Sequence, residues 1–260
     1  TMTTFLSDVL KAPSNRWDSE LRIGTDASMQ DVLRSAAEQL RVATGLSAAT
    51  QVELMTAISE SMMMWNIKAE SLQIASEALD LARLSLADND PMLFRALANM
   101  AVVLNAHGSA GSLTEAAEYA QAALQWAQVY EPYNLYKQSL ALGALGNNQR
   151  ISGNDAQAIQ YYEQGLALWE SVGGPPEDPL TALAYGLLAD AAFRLGDLDR
   201  AQMSLARSFE LYEKLPGRAL ALWELTYSTY IRLALRTGQE ALALEVARRT
   251  VALARKDDPN

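Results

Sequence analysis

Four glycines at nearly constant spacing constrain the fold of this chain more than any other feature of its sequence. Gly111, Gly153, Gly196 and Gly238 lie 42, 43 and 42 residues apart, and each lies between two amphipathic stretches. An alanine follows each glycine after five residues, at positions 116, 158, 201 and 243. Glycine accepts the left-handed backbone at the end of a helix, and alanine lets the next helix pack closely. The pattern therefore predicts stacked helical hairpins.

The same period extends towards the N-terminus and divides most of the chain into hairpins. Asn66 takes the turn position one period earlier, between helices predicted at 49–65 and 68–86. Breaks that contain proline or glycine separate successive hairpins at 88–91, 131–132, 173–179 and 216–217. We predict an all-α, right-handed solenoid of about five antiparallel hairpins, with repeats at approximately 47–88, 89–131, 132–174, 178–215 and 217–256. Residues 1–46 are predicted to form an N-terminal arm and a capping helix, the helix covering 29–44.

These repeats resemble the tetratricopeptide repeat (TPR) family. The family's second helix reads roughly Gly-x-Tyr-x-x-Ala-x-x-x-aromatic-x-x-Ala-Leu, and residues 111–124 follow this pattern closely. Leu145-Gly146 and Leu188-Ala189 match the Leu-Gly or Leu-Ala pair of the family's first helix. The last repeat departs from this pattern, with Tyr230-Ile231 at these positions. The repeat of Gly111 carries an insertion at 107–110. A repeat near 42 residues is similar to the MalT-like and kinesin-light-chain-like branch. The resemblance covers about 47–256 and implies the fold, not a particular function.

The acidic composition argues against several classes of partner. The formal net charge is −10, whereas proteins that bind nucleic acid or an anionic membrane present basic surfaces. No stretch is long and apolar enough to span a membrane, and the N-terminus lacks the basic and apolar regions of a signal peptide. We therefore expect a cytoplasmic protein without direct contact to nucleic acid or membrane. Whether the chain is a whole protein or a domain of a longer one stays open.

Residues that could carry chemistry are few. The chain has no cysteine and a single histidine, His107, so neither a thiolate nucleophile nor a transition-metal site is expected. The sequence contains neither a phosphate-binding Gly-x-x-x-x-Gly-Lys-Ser/Thr loop nor a Gly-x-Ser-x-Gly nucleophile motif. Carboxylate pairs such as Asp88 and Asp90 fall in breaks, where they are expected to cap helices. We predict a protein that is not an enzyme and needs no cofactor or metal.

The resemblance implies a concave groove lined by the first helix of each hairpin. Counting from the shared glycine, or from His107-Gly108 as the turn of the second hairpin, gives nine candidate partner-binding residues there: Arg95, Asn105, Asn147, Arg150, Asp190, Phe193, Arg194, Arg232 and Arg236. Arginine forks pair with carboxylates or phosphates, and asparagine can hold a peptide backbone. Some family members bind a C-terminal carboxylate with an Asn–Lys–Arg clamp, which this row resembles loosely. In the alternative interpretation the arginines pair with Asp190, Glu224 and other local acids.

Several functions are compatible with this groove. The leading hypothesis is a protein–protein or peptide-binding scaffold or adaptor that accepts an acidic or extended segment. The alternative is a ligand- or peptide-sensing regulatory domain of a larger signalling or transcription-regulator protein, as MalT-like domains are. Self-association through the end hairpins also stays open, because an uncapped terminal repeat exposes an apolar face.

Overall fold

The computed structural model describes residues 29–171, 179–214 and 220–257. These residues form eleven helices and no strand. The helices are α1 (Met29–Val42), α2 (Ala48–Met64), α3 (Lys68–Ser85), α4 (Pro91–His107), α5 (Ala110–Tyr130), α6 (Leu135–Ile151), α7 (Asp155–Ser171), α8 (Pro179–Leu195), α9 (Leu198–Lys214), α10 (Leu220–Arg236) and α11 (Glu240–Asp257). The expected arm over 1–28 and most of the breaks at 173–179 and 216–217 lie outside the described residues.

The chain divides into two compact units, residues 1–130 and 131–260. In the first unit α2 pairs with α3, α4 pairs with α5, and α4 packs against both helices of the preceding hairpin. Helix α1 covers the other side of α2, where Ala37 and Leu40 join Leu54 and Ile58 in one buried cluster. In the second unit the hairpins are α6–α7, α8–α9 and α10–α11, and α8 packs against both α7 and α10. Each unit is therefore a stack of helical hairpins.

Local signals set where the helices begin. The Ser47 hydroxyl accepts a hydrogen bond from the Thr50 amide at 3.2 Å, and the Asp90 carboxylate accepts one from the Met92 amide at 2.8 Å. Both side chains satisfy amides in the first turn that have no partner within the helix. Pro91 follows Asp90 at the first helical position, where its missing N–H costs nothing. These caps explain why α2 and α4 start at these residues.

Residues with a positive φ end the first helix of each hairpin. Asn66, Gly153, Gly196 and Gly238 have φ values of 58°, 83°, 88° and 74°, as the repeat predicts. In the second hairpin the left-handed residue is Gly108, with φ 69°, and its amide caps α4 by donating to the Leu104 carbonyl at 3.3 Å. Gly111 lies instead within the first turn of α5. With the insertion at 107–110, the turn glycine therefore lies three residues closer to the N-terminus, at Gly108 instead of Gly111.

Small residues let the helices of each hairpin approach closely. Ala116, Ala158 and Ala201, each five residues after a glycine of the repeat, have no exposed surface, and Ala243 is almost as buried. Gly146 takes the same role on α6, because a Cβ atom there would lie 2.7 Å from Cε1 of the buried Tyr162 ring on α7. Gly143 lies on the same helix, and a Cβ atom there would meet nothing within 4 Å. The α6–α7 contact is thus tightest at Gly146.

We expect Gly146→Ala to destabilise the protein and Gly143→Ala to stabilise it. The methyl group at position 146 would push against the side of a rigid ring, and overpacking of this kind costs about 1–3 kcal/mol. At position 143 the methyl group meets nothing, so the helix gains up to about 1 kcal/mol from the better propensity of alanine. Urea unfolding followed by circular dichroism measures both changes. Equal free energies of unfolding for the two variants would contradict the close packing at Gly146.

Candidate partner-binding site

Seven of the nine predicted site residues lie in the second unit, on the first helices of its three hairpins. Helix α6 contributes Asn147 and Arg150, α8 contributes Asp190, Phe193 and Arg194, and α10 contributes Arg232 and Arg236. The structure brings Arg150, Arg194 and Arg232 together around the carboxylate of Asp190. We call these four residues the Asp190 cluster.

The carboxylate of Asp190 is the centre of this cluster. Arg150 Nη1 lies 3.0 Å from Oδ2, Arg194 Nε lies 3.7 Å from the same oxygen, and Arg232 Nη2 binds Oδ1. The Asp190 side chain exposes only 4% of its surface, whereas the side chains of Arg150, Arg194 and Arg232 expose 18%, 32% and 41%. One buried carboxylate thus links three partly exposed guanidinium groups from three consecutive first helices.

Acceptors on α6 and at the start of α7 fix two of the arginines. Asn147 Oδ1 accepts hydrogen bonds from Arg150 Nε at 3.3 Å and from Arg150 Nη2 at 3.1 Å. Arg194 Nη2 donates to the Arg150 carbonyl at 2.8 Å and forms an ion pair with Asp155 at the start of α7. These contacts hold both guanidinium planes in defined orientations, which Asp190 alone could not do.

On α10, the third arginine has its own set of contacts. Arg232 Nη2 also donates to the Thr229 hydroxyl at 2.9 Å, and that hydroxyl lies 3.4 Å from Oδ1 of Asp190. The Arg232 guanidinium lies 5.0 Å from the centre of the Phe193 ring, at a distance typical of a cation–π contact. Arg232 is therefore held from three sides and still keeps the largest exposed fraction of the three.

The electrostatics of the cluster keep Asp190 ionised. Burial alone would raise the pKa of the Asp190 carboxyl, but the hydrogen bond from Arg232 and the charges of the three arginines outweigh it, so this pKa lies below its usual value. The three arginines carry three positive charges, and Asp190 with the adjacent Asp155 carries two negative ones, so the net charge of these five residues is +1. The cluster is thus a cationic site in a chain whose formal net charge is −10.

A buried tyrosine lies close to the same cluster. Tyr162 of α7 exposes 1% of its surface, and burial raises the pKa of its phenol, with the nearby Arg150 guanidinium acting in the opposite direction. The ring packs on Gly146, one turn before Arg150 on α6. The close α6–α7 packing therefore sets the position from which Arg150 reaches Asp190.

Arg236 does not join the Asp190 cluster. It lies in the last turn of α10 with an exposed side chain, and within the described part of the chain it has no hydrogen bond or ion pair. Together with Phe193 and Arg194 it lines a pocket at the α8–α9 turn. The side chain of Glu224, an expected partner of the arginines, lies outside the described residues.

The two predicted residues of the first unit have different surroundings. Arg95 of α4 reaches two glutamates of α2, with N–O distances of 3.8 Å to Glu53 and 3.4 Å to Glu60. Asn105 exposes only 1% of its surface and shares the packed face of α4 with Ala101. The structure therefore corrects the projection at Asn105, which faces the interior of the first unit and not a surface groove.

Two residues of the site escaped sequence reasoning. Asp155 belongs to the second helix of its hairpin, and a carboxylate in a first helical turn is normally explained by the helix dipole. Thr229 lies three residues before Arg232, on the same face of α10, and that spacing could have identified it.

Among the described residues, no group of three or more histidines, aspartates or glutamates is placed to bind a metal ion. None of the described helices has the length and apolar character that crossing a membrane requires.

Residues 138–214 match the family model described as Tetratricopeptide repeat, and no curated protein sequence matches the chain. BtubC (BKLC) from P. vanneervenii has a similar structure, with 16% identity over 90% of this chain and 94% of that one and a TM-score of 0.67. The TPR-like repeats of a candidate kinesin light chain from Podosopora anserina are 14% identical over 83% of this chain and 100% of that one, with a TM-score of 0.57. A Rap protein complexed with Competence and Sporulation Factor is 17% identical over 87% of this chain and 69% of that one, with a TM-score of 0.59.

These likenesses bear on the fold. The similar structures include TPR-like repeat proteins, and the described residues of this chain are helical throughout, apart from turns and links. The predicted fold class, an all-α solenoid of helical hairpins, is confirmed. Sequence identities of 14–17% carry no information about ligands or partners of this chain.

We expect Asp190→Asn to destabilise the second unit more than Asp155→Asn does. Removing the Asp190 carboxylate leaves three arginines without their shared partner. Breaking a buried ion pair costs about 3–5 kcal/mol of stability. The cost should be smaller here, because the arginines are partly solvated. Asp155 contacts one arginine, so its loss should cost about 1 kcal/mol. Denaturant unfolding measures both changes. Similar small losses in the two variants would show that Asp190 does not link the three helices.

The contribution of Asp190 to stability should depend on pH in acid. Because its pKa is lower in the folded state than in the unfolded state, the contribution is fully present above the ordinary aspartate pKa of about 3.9. It declines as the pH falls below that value and is lost once the pH passes the lowered folded pKa. The difference in free energy of unfolding between the wild type and Asp190→Asn should therefore shrink below about pH 4. A difference that stays constant down to pH 2 would contradict this assignment.

Proposed function

We propose that this chain, whose residues 138–214 match the tetratricopeptide repeat model, is a protein–protein or peptide-binding scaffold or adaptor module. The partner segment lies along the first helices α6, α8 and α10, and it is acidic or extended. The proposal assigns the protein no catalytic step and no cofactor. It places the protein in the cytoplasm, without direct contact to nucleic acid or membrane.

The Asp190 cluster is the observation that carries this proposal. Each guanidinium has five N–H donors, and the contacts to Asp190, Asn147, Asp155 and Thr229 use only part of them. The remaining donors belong to side chains that expose up to 41% of their surface. Arginines that are already oriented lose little side-chain entropy when a carboxylate arrives. An acidic segment therefore has a prepared set of donors on three consecutive hairpins.

A regulatory function is the second candidate. One protein with a similar fold is a Rap protein complexed with Competence and Sporulation Factor, so the fold is compatible with a ligand- or peptide-sensing domain of a larger signalling protein. In this chain the Asp190 cluster joins α6, α8 and α10. An anion that competes with Asp190 for its arginines would loosen the links between these three helices. A sensor would thus use the same residues as the scaffold, and it would change shape on binding.

Charge reversal at one exposed arginine tests the binding proposal. We expect Arg232→Glu to abolish capture of acidic partners from a cell lysate at low salt, because it places a carboxylate where the partner's carboxylate would bind. Arg200→Glu is the matched control: Arg200 lies in the same unit, exposes 38% of its side chain and pairs with Glu163 and Asp197 outside the cluster. Mass spectrometry identifies the captured proteins, and circular dichroism confirms that both variants are folded.

The outcomes of this experiment separate the candidates. Partners retained by the wild type and by Arg200→Glu, but lost by Arg232→Glu, would support a scaffold that binds through the Asp190 cluster. Identical sets of captured proteins for the wild type and both variants would overturn the proposed site. If an acidic ligand binds and the small-angle scattering profile changes with it, the sensing function is favoured over a rigid scaffold.

A further inference from the structure

A second cationic feature lies beside the Asp190 cluster, at the turn between α8 and α9. A pocket of about 380 Å³ is formed there by Phe193, Arg194, Leu195, Gly196 and Leu198 of the turn and by Arg236 from the end of α10. Its volume lies at the lower end of the range of about 300–1,000 Å³ that is usual for ligand pockets. We call it the turn pocket. It is large enough for one or two amino-acid side chains.

The charges that line the turn pocket are not balanced within it. Two of its six lining residues are arginines and none is acidic. Arg236 has no hydrogen bond or ion pair within the described ranges, whereas Arg194 commits Nε and Nη2 to Asp190, Asp155 and the Arg150 carbonyl. Nη1 of Arg194 takes part in none of these contacts. Two like charges on one pocket repel each other, and an anion between them removes that repulsion.

The rest of the lining is apolar, which restricts the kind of anion that fits. Phe193 is half-buried and packs on the core of the second unit, and the Arg232 guanidinium lies over its ring. Leu195 exposes more than half of its surface. A small hydrated anion gains nothing from these walls, whereas an acidic side chain beside an apolar one satisfies both parts of the pocket. The lining thus favours an organic carboxylate.

We propose that the turn pocket binds an acidic side chain of a peptide partner together with the apolar residue next to it. This inference rests on the proposed function, because the partner segment that contacts the Asp190 cluster would continue into the turn pocket. Arg194 belongs to both features, and Phe193 of the turn pocket contacts Arg232 of the Asp190 cluster. The turn pocket determines which acidic segments bind, and the Asp190 cluster holds them.

Arg236 also has a role that needs no ligand. A positive charge in the last turn of a helix interacts favourably with the helix dipole. The test therefore uses Arg236→Gln, which removes the charge, and Arg236→Lys, which keeps the charge and the dipole interaction but loses the planar fork. Arg248→Gln is the control for loss of one exposed positive charge in the same unit outside the turn pocket.

The probe is a fluorescein-labelled peptide of alternating glutamate and leucine, with a matched peptide of alternating glutamine and leucine. Fluorescence anisotropy gives the Kd for the wild type, Arg236→Gln, Arg236→Lys, Arg248→Gln and Arg232→Glu. We expect Arg236→Gln to weaken binding of the acidic probe about tenfold, Arg236→Lys less, and Arg248→Gln by no more than about twofold. The glutamine peptide should bind weakly to every variant.

The possible outcomes distinguish this inference from the proposed function. If Arg232→Glu weakens binding and Arg236→Gln does not, the turn pocket is overturned while the proposed function stands. If only Arg236→Gln weakens binding, the pocket stands and the role of the Asp190 cluster is overturned. If the acidic probe binds no better than the glutamine peptide, both are overturned. Displacement of the probe by inorganic phosphate, at ionic strength matched with sodium chloride, would overturn the assignment to a carboxylate.

Discussion

Close packing between neighbouring helices is the constraint on which the rest of this structure depends. The chain has no cysteine, so no disulfide holds the hairpins together. Alanines five residues after the repeat glycines have almost no exposed surface, and Gly146 leaves just enough room for the Tyr162 ring. Larger side chains at these positions would separate the helices and open voids that cost stability. The contact points of the repeat are therefore restricted in side-chain size more than in side-chain chemistry.

This packing places residues one repeat apart next to each other. Arg150 and Asp190 are separated by 40 residues along the chain, and Asp190 and Arg232 by 42, close to one period in each case. Corresponding positions on consecutive first helices are thereby neighbours in space, so a charge on one helix meets a charge on the next. The Asp190 cluster is a direct consequence of the repeat length, because a shift of two residues along α8 would turn the carboxylate away.

The sequence could therefore predict much of this architecture, and less of the site. Periodicity identified the hairpins, the turn residues Asn66 and Gly153, and the first helices that carry the arginines. In the second hairpin the insertion interrupts the glycine spacing, and the left-handed turn residue is Gly108 instead of Gly111. The alternative interpretation named Asp190 as a partner of the arginines, but the sequence could not show how many of them it binds. A guanidinium reaches several acids from one backbone position, and only the packed side chains show that Asp190 binds three of them while Arg236 binds none within the described residues.

Under the proposed function, the energetic cost of the Asp190 cluster has a physical reason. Burying a carboxylate costs several kcal/mol in lost hydration, and well-packed apolar residues at such a position often give a stability as high or higher. Three positive charges also lie close together around that one carboxylate, and their mutual repulsion is a further cost until another anion binds. What this arrangement provides is orientation: Asn147, Asp155 and Thr229 fix guanidinium groups whose other donors remain exposed. Donors fixed in advance reduce the entropy lost on binding, so the cost of the cluster is offset when an anionic partner is present.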